Sequence, residues 1–395
     1  MDLINTNVDF EIGSVIEAVG PPSANWLCAD GQVLDQADYS EYVAIAQDLH
    51  PKAYERLQLL SNRTEIPESC ARKGNIIVVV GKGTEVLYTT DGGANWYVNN
   101  PLGGSSTDYY YNVVCDGTTF VTMRYNSNQA YSSTDGINWT ARTLTQTKNW
   151  NDLVWTGNYF VATSTNTSPR PLDYSSDGIT WYAASFPDNY WGTDYGAGGN
   201  NYIIYYNYND YKWHRSGDGG QNWSTLTDPM QWFSPDYEGL SPNIVTFDGT
   251  YFNVWFNSIY NSIWLRSTNG DSWEWVPFTQ NQYGSQEFSP ETGHYDGTRH
   301  VFMMQGYSRY YPIWYIGDGD GKNWHPRTMN FNNSVTNARN KIAVIPGTGM
   351  FMVGNNAANI EVWADYTEYD DATKFQLPVL SDGLPSGIKR YIKVA

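Results

Sequence analysis

Three features of the chain predict a mainly β fold, a β-propeller inserted into a small α+β domain. A turn motif ending in Trp recurs six times. A tight turn followed by an apolar run recurs seven times between those motifs. Residues 1–65 and 369–395 carry neither pattern. Fixed-period self-similarity marks repeat architectures, so the repeats decide the fold before any single element does.

The first motif reads TTDGGANW at Thr89–Trp96, SSTDGINW at Ser132–Trp139, SSDGITW at Ser175–Trp181 and SGDGGQNW at Ser216–Trp223. It continues as STNGDSW at Ser267–Trp273 and DGDGKNW at Asp318–Trp324. Successive terminal tryptophans are 43, 42, 42, 50 and 51 residues apart. Six hits at so even a spacing are not chance. The second motif appears as GNIIVVV at Gly74, DGTTFVTM at Asp116, TGNYFVAT at Thr156 and NNYIIYY at Asn200. It recurs as DGTYFNVW at Asp248, DGTRHVFM at Asp296 and GTGMFMVG at Gly347. Asp-Gly and Gly-Asn between apolar runs signal hairpins, because Gly and Asn tolerate positive φ. Each unit thus reads strand, tight turn, strand, loop, strand, box turn, strand. YYYNVV at Tyr109, TTFVTMR at Thr118, QAYSS at Gln129 and WTARTL at Trp139 supply one such set. Four antiparallel strands in about 40–45 residues make a propeller blade. Seven apolar second strands predict seven blades, with six as the alternative. The last blade closes either with the lead-in near Leu57–Ser61 as its outer strand or with a fourth strand of its own.

The Trp-terminated turns resemble the Asp-box of sialidases and related propellers. Their job follows from chemistry. A Ser or Thr hydroxyl and the Asp carboxylate bond within their own turn. Gly takes the left-handed position, and Trp packs between strands. The box residues Asp91, Trp96, Asp135, Trp139, Asp177, Trp181, Asp218, Trp223, Asn269, Trp273, Asp320 and Trp324 are therefore expected to be structural. Asn269 and Asp318 replace the usual Asp and Ser with other short oxygen-bearing side chains.

The flanks tell a separate story. Short strands lead to WLCADG at Trp26, and Asp35–Leu49 shows helical spacing of Tyr39, Tyr42, Val43, Ile45 and Ala46. The tail reads KFQLPVLSDGLPSGIKRYIKVA. Gly13, Val15, Pro22, Trp26, Leu27, Asp30, Gly31 and Tyr39, followed by Phe375, Leu377, Pro378, Leu380, Tyr391, Ile392 and Lys393, resemble the phage tail-collar domain. The Arg-Gly that often follows its Leu-Pro segment is replaced here by Ser381–Gly383. The expected domains are a collar front half at 1–65, a propeller at 66–368 and a collar back half at 369–395. An insertion suits a propeller, whose ring closure brings its two ends together.

Charge excludes some partners. The net charge of −18 argues against nucleic acid, since nothing neutralises phosphates. No apolar run is long enough to cross a membrane. The start, MDLINTNVDFEIGSVIEAVG, carries no signal-peptide pattern. The three cysteines share no CxxC spacing, which disfavours a disulfide framework or a zinc site.

Alternate turns of a four-stranded meander fall on opposite faces. The first-to-second turns and the boxes share one face, and they are short. The second-to-third and blade-to-blade loops share the other, and they are long. Function concentrates on variable loops held by a rigid scaffold. These loops carry the candidate ligand-binding residues Tyr109, Tyr190, Trp191, Trp232, Tyr237, Tyr283, Tyr307, Tyr310 and Tyr311. Aromatic faces beside amides and carboxylates are what sugar recognition needs.

A catalytic set does not emerge. A sialidase needs an arginine cluster, and no Arg stands in an Arg-Ile-Pro context; TEIPESCAR at Thr64 lacks the Arg. Acids are plentiful but unpaired by sequence. No nucleophile elbow, His-Glu-x-x-His or P-loop is present. DGDGK at Asp318 lacks the third acid and distal Glu of a calcium loop. No metal, cofactor or enzymatic activity is expected. The tail-collar resemblance implies a phage tail fibre or tail-tip receptor-binding protein, assembled in the host cytoplasm and carried on the virion. Its partners would be a bacterial surface receptor, glycan or protein, through the propeller, and other tail proteins through the collar, with a homotrimer as candidate assembly. A structural tail or baseplate protein and a virion-borne glycoside hydrolase are the alternatives.

Overall fold

The computed structural model describes residues 67–164, 171–186, 195–207, 212–226, 242–257 and 262–276, and elsewhere individual strands. The chain is mainly β, and no helix occurs among the described residues. Four strands come first: β1 (Val15–Ala18), β2 (Trp26–Cys28), β3 (Val33–Asp35) and β4 (Ala53–Leu60). The expected helix at Asp35–Leu49 lies outside the described residues, except that Asp35 closes β3.

Five four-stranded antiparallel blades follow, each a separate sheet in sequence order. Blade I is β5 (Pro67–Lys73), β6 (Ile76–Gly81), β7 (Val86–Thr89) and β8 (Tyr97–Asn99). Blade II is β9 (Val113–Cys115), β10 (Phe120–Met123), β11 (Ser127–Ser133) and β12 (Thr140–Lys148). Blade III is β13 (Trp150–Trp155), β14 (Phe160–Ser164), β15 (Pro171–Ser175) and β16 (Tyr182–Ser185). Blade IV is β17 (Tyr195–Gly199), β18 (Tyr202–Asn207), β19 (Lys212–Ser216) and β20 (Ser224–Leu226). Blade V is β21 (Pro242–Phe247), β22 (Phe252–Asn257), β23 (Ser262–Ser267) and β24 (Glu274–Trp275).

The next strands are β25 (Pro290–Tyr295), β26 (His300–Met304), β27 (Ile313–Gly317), β28 (Trp324–Met329), β29 (Ile342–Ile345), β30 (Met350–Asn355) and β31 (Asn359–Asp365). With β4 they form one eight-stranded sheet, ordered β25-β26-β27-β28-β4-β31-β30-β29. The lead-in thus lies beside β31, one of the two closures the sequence allowed. The count of seven or six blades expected from sequence meets five discrete sheets plus this larger one.

The architecture is a β-propeller. First strands of successive blades run side by side, β5 by β9, β9 by β13, β13 by β17, β17 by β21 and β21 by β25, while β29 lies against β5. They therefore sit nearest the axis. Fourth strands form the rim, and β8, β16 and β24 each open on an exposed residue.

The core lies between blades, and the second strands explain why. Phe120 packs with Val78 and Val80 of the blade before, whereas its neighbour Val121 packs with Leu153 and Phe160 of the blade after. Ile203 and Ile204 divide in the same way between blades III and V. A strand buried on both faces reads as an unbroken apolar run, not as an alternation. Each such buried side chain contributes about 1.5–3 kcal/mol.

One strand expectation needs correcting. YYYNVV was read as the first strand of blade II, but β9 begins at Val113. Tyr109 and Tyr110 span the two blades: Tyr109 bridges Lys82 and Tyr110 N donates to Gly81 O of blade I, while Tyr109 O accepts from Tyr125 N of blade II.

The contacts divide the chain into two compact units, Glu55–Trp324 with Met329–Ala364, and Met1–Tyr54 with His325–Thr328 and Asp365–Ala395. Of β4, Glu55–Leu60 groups with the propeller strands. In the second unit the two chain ends share sheets. The strand β32 (Lys374–Gln376) pairs with β3, setting Leu34 opposite Phe375. The strand β33 (Lys389–Lys393) lies between β1 and β2, with Ile392 opposite both Val15 and Leu27.

Candidate functional site

The box turns are closed hydrogen-bond circuits. In the second box the Ser133 hydroxyl donates to Asp135 Oδ1 at 3.0 Å and accepts from Gly136 N at 2.9 Å. Asp135 Oδ1 also accepts from Ile137 N and Asn138 N, and Oδ2 from Asn138 Nδ2 at 2.8 Å. The Thr89–Asp91, Ser175–Asp177 and Ser216–Asp218 pairs repeat the pattern. Asn269 does the same with an amide oxygen, accepting from Ser267 and from Asp271 N. These bonds hold the box carboxylates below their usual range. Burial pulls Asp135 up, but the donors outweigh it and bring it to about 2.

The tryptophans divide in two. Trp139, Trp223 and Trp273 donate Nε1 to a glycine carbonyl of their own box. Trp96 and Trp181 sink further, to 8% and 7% exposure, without that bond. Trp139, Trp181, Trp223 and Trp273 pack against the inter-blade clusters. Gly136, Gly178, Gly220 and Gly270 seat their turns on the preceding blade. A Cβ on Gly178, at φ +69, would stand 2.6 Å from Val121 Cγ2 of that blade. In the five described boxes the side chains serve the fold. Asp320 lies outside the described residues, as does the side chain of Trp324, which opens β28.

Carboxylates elsewhere, half-buried Asp152 and buried Asp173, also face partners. Asp152 Oδ2 accepts from Tyr205 OH of the next blade at 2.9 Å. Asp173 accepts from Thr145 N and Oγ1, both at 2.6 Å. Burial pushes both carboxyls up, opposed by those hydrogen bonds. Both acids join one blade to another. Among the described residues no three His, Cys, Asp or Glu side chains gather as a metal site.

The loop face supplies a different kind of cluster, where blades I and II meet. Tyr109 and Tyr111 stack at 5.2 Å between ring centroids, with planes 17° apart. Tyr125 meets Tyr111 edge-on at 5.3 Å and 82°. The backbone sets this geometry. Residues 109–111 run extended, so Tyr110 turns inward, fully buried, and its hydroxyl donates to Gly103 O at 2.6 Å. Tyr109 and Tyr111 then share the outward side, both half-buried. Tyr125 sits in the second-to-third turn of blade II, where its N donates to Tyr109 O at 2.9 Å and Asn126 takes φ +52.

Charged groups surround the rings. Lys82 Nζ lies 5.7 Å from the Tyr109 centroid. Arg124, in the same turn as Tyr125, is paired with Asp108 at 2.7 Å. Glu68 is the extra residue of a β-bulge in β5, whose pairing jumps from Pro67 to Ser69. Ser69 bonds both N and O of Val113, which brings Glu68 alongside the segment bearing Tyr111 and Asn112. Burial raises the Tyr111 phenol first, and the Tyr125 hydroxyl and the Glu68 charge raise it further. It is neutral over any ordinary pH range.

Of the nine sequence-predicted ligand residues, Tyr109 is described, and it belongs to this cluster. Tyr190, Trp191, Trp232, Tyr237, Tyr283, Tyr307, Tyr310 and Tyr311 lie outside the described residues. Sequence reasoning missed Tyr111, Tyr125, Glu68 and Lys82. The YYY run offered one signal, since a period of two already separates Tyr110 from its neighbours. No sequence pattern connects Tyr125 or Glu68 to that run.

No protein-family model and no curated protein matches the chain. Solved structures do. The structure of YCF48 bound to D1 peptide matches with a TM-score of 0.52 and 13% identity, over 80% of this chain and 96% of its own. A virginiamycin B lyase from Staphylococcus aureus matches with a TM-score of 0.54 and 11% identity, over 79% and 99%. The WD40 β-propeller domain of Doa1 matches with a TM-score of 0.51 and 10% identity, over 80% and 98%. At such identities the likeness is one of fold, and the fold is the β-propeller.

Proposed function

We propose that this chain is a phage tail receptor-binding protein whose propeller holds a host-surface glycan on its loop face. The chain ends would form a collar-type base for attachment to other tail proteins. The observation that carries the adhesive reading is the half-exposed Tyr109–Tyr111–Tyr125 cluster. Nothing in the described blade packing requires three tyrosines to remain at a loop surface, whereas ring faces and edges are what a pyranose stacks against. Supporting the collar reading is the pairing of β32 and β33 with β3, β1 and β2, which an interrupted domain requires. The sequence resemblance to the tail-collar domain supplies the phage assignment.

The proposed ring has seven blades. On this reading the eight-stranded sheet is two blades meeting edge to edge, β25–β28 and β29–β31 completed by β4. The packing of β29 against β5 and of β25 against β21 supports that count.

The protein is read as a binder, not an enzyme, and without a cofactor. The carboxylates Asp152 and Asp173 are committed to inter-blade hydrogen bonds, so they make poor acid–base candidates. The test is adsorption of the purified full chain to a panel of bacteria and a glycan array. Saturable binding to one surface type, blocked by a soluble glycan from it, is expected. Failure to bind any cell surface, together with capture by purified tail proteins through the propeller, would overturn the adhesin reading.

A further inference from the structure

A cleft of about 240 Å³ opens beside the fourth box turn, away from the tyrosine cluster and independent of it. We propose that this cleft binds a single neutral sugar ring, gripped through two adjacent hydroxyls by the free edge of Arg215.

Comparison of the blades shows what is unusual there. In each blade the residue just before the box hydroxyl stands opposite the residue that opens the fourth strand. The pairs are Tyr88–Tyr97, Ser132–Thr140, Tyr174–Tyr182, Arg215–Ser224 and Arg266–Glu274. Cross-strand pairs of this kind normally satisfy one another. Tyr88 stacks on Tyr97, and Tyr174 meets Tyr182, each at 5.6 Å between ring centroids. In blade II, Arg142 Nε donates to Ser132 Oγ at 2.8 Å. In blade V, Arg266 donates Nε to Glu274. Blade IV departs from this pattern. Ser224 is exposed and too short to serve Arg215 as Glu274 serves Arg266. Among the described residues, nothing bonds the Ser224 hydroxyl, or Nε and Nη2 of Arg215.

Arg215 is nevertheless held firmly. Its Nη1 donates to Asn269 O at 2.8 Å and pairs with Asp271, both in the next box. Its guanidinium lies 4.8 Å from the Tyr202 ring centroid, and the side chain is 18% exposed. One end and one face are thus fixed, and the Nε–Nη2 edge is left over. Two parallel N–H donors on a rigid fork suit a pair of neighbouring oxygens. That fork lines the cleft together with Tyr202, Asp218, Asn222, Trp223 and Ser224. Trp223 is braced by Phe186, stacked at 4.6 Å, and by its Nε1 bonds to Gly220 O and Ser185 O. Asn222 spends its amide hydrogens on Asp218 and keeps Oδ1 as an acceptor. Donors, an acceptor and fixed rings around one small space are the elements of a sugar site. The volume lies below the roughly 300 Å³ at which drug-sized pockets begin, so the occupant is one ring.

Charge decides between a neutral and an acidic ring. Asp271 already offsets Arg215. The Asp218 carboxylate also borders the cleft, though its own turn occupies it through Ser216, Gln221 and Asn222. The chain carries −18. A ligand carboxylate would enter a field of its own sign. Hydroxyls accept from the Arg215 edge and donate to Asn222 Oδ1 without that cost.

The experiment is NMR titration of the full chain with the methyl glycosides of glucose, galactose and mannose, and with glucuronate. At least one methyl glycoside should bind saturably, and more tightly than glucuronate. Ser224→Glu copies the blade V arrangement and should fill the Arg215 edge from within, weakening that sugar at least about ten-fold. Arg215→Met should weaken it at least as much. Glu274→Ser, which faces Arg266 instead, should leave it unchanged. Melting curves establish that each variant is folded, and Ser224→Glu, at an exposed position, stays decisive if Arg215→Met is not.

Binding that survives both Ser224→Glu and Arg215→Met would overturn the cleft and credit another surface. Glucuronate binding as tightly as the best methyl glycoside, or more tightly, would overturn the neutral assignment. Absence of binding by every probe would overturn the proposal, while loop-face adhesion is judged separately on whole cells.

Discussion

Gly178 stands so close to Val121 of the preceding blade that its missing side chain is a packing requirement: a Cβ there would lie 2.6 Å from Val121 Cγ2. Its φ is +69 as well. Two costs therefore coincide at Gly178→Ala, left-handed strain and a clash with a fully buried neighbour. Gly117, at φ +95 with nothing within 4 Å, carries only the first. Chemical denaturation should show Gly117→Ala losing about 1 kcal/mol and Gly178→Ala losing about 2–4 kcal/mol. Equal losses would mean that the box turn does not press on the blade before it.

Trp181 and Trp275 separate buried from exposed tryptophan. Trp181 is 7% exposed and Trp275 is 58% exposed. Trp181→Ala should cost about 3–5 kcal/mol, whereas Trp275→Ala should stay within about 0.5 kcal/mol. Thermal or urea melts of the two variants test this directly. A large loss at Trp275 alone would show that the rim is not solvent-facing.

The box aspartates predict an acid limb to stability. Asp135 falls to about 2 in the fold, below its unfolded value near 3.9. A depressed carboxyl contributes stability above the unfolded value and loses it as pH falls through the folded one. Stability should thus decline between about pH 4 and pH 2. Asp135→Asn should flatten part of that decline, because Asn269 already closes the fifth box with a neutral oxygen. An unchanged acid limb in Asp135→Asn would assign the decline to other groups.

Asp152 should respond with the opposite sign. Burial raises its carboxyl, and the Tyr205 hydroxyl partly restrains the rise. A raised carboxyl opposes folding progressively as pH climbs from its unfolded to its folded value. Tyr205→Phe removes the donor and should cost about 1–3 kcal/mol at neutral pH. The loss should shrink in acid, where Asp152 holds its own proton. A pH-independent loss in paired melts would point instead to the hydroxyl's other partner, Thr163 Oγ1 at 3.2 Å.

The sequence made legible whatever is local and repeated. The box circuits of Ser133, Asp135 and Asn138 lie within a few residues of one another, so a motif announces them. The second strands declare themselves because Val78, Val121 and Ile204 each belong to a run buried on both faces. The loop face was legible as a place, through alternating turns, and Tyr109 was found there. The cluster itself was not, because Lys82 and Glu68 reach it from blade I and Tyr125 from a turn in blade II. Such partners meet only when two blades are set side by side. The reading of 109–112 as strand failed for the same reason: that backbone bonds Gly81 and Lys82 of blade I as well as Tyr125 of blade II.

The central claim is that the loop-face tyrosines hold the receptor. Its most direct test is the affinity of folded Tyr111→Ala/Tyr125→Ala protein for the host surface, measured beside Tyr97→Ala/Tyr182→Ala on the exposed rim. The account predicts at least about a ten-fold loss for the first pair and no loss for the second. Undiminished binding by the first pair, with its melting temperature preserved, would contradict it.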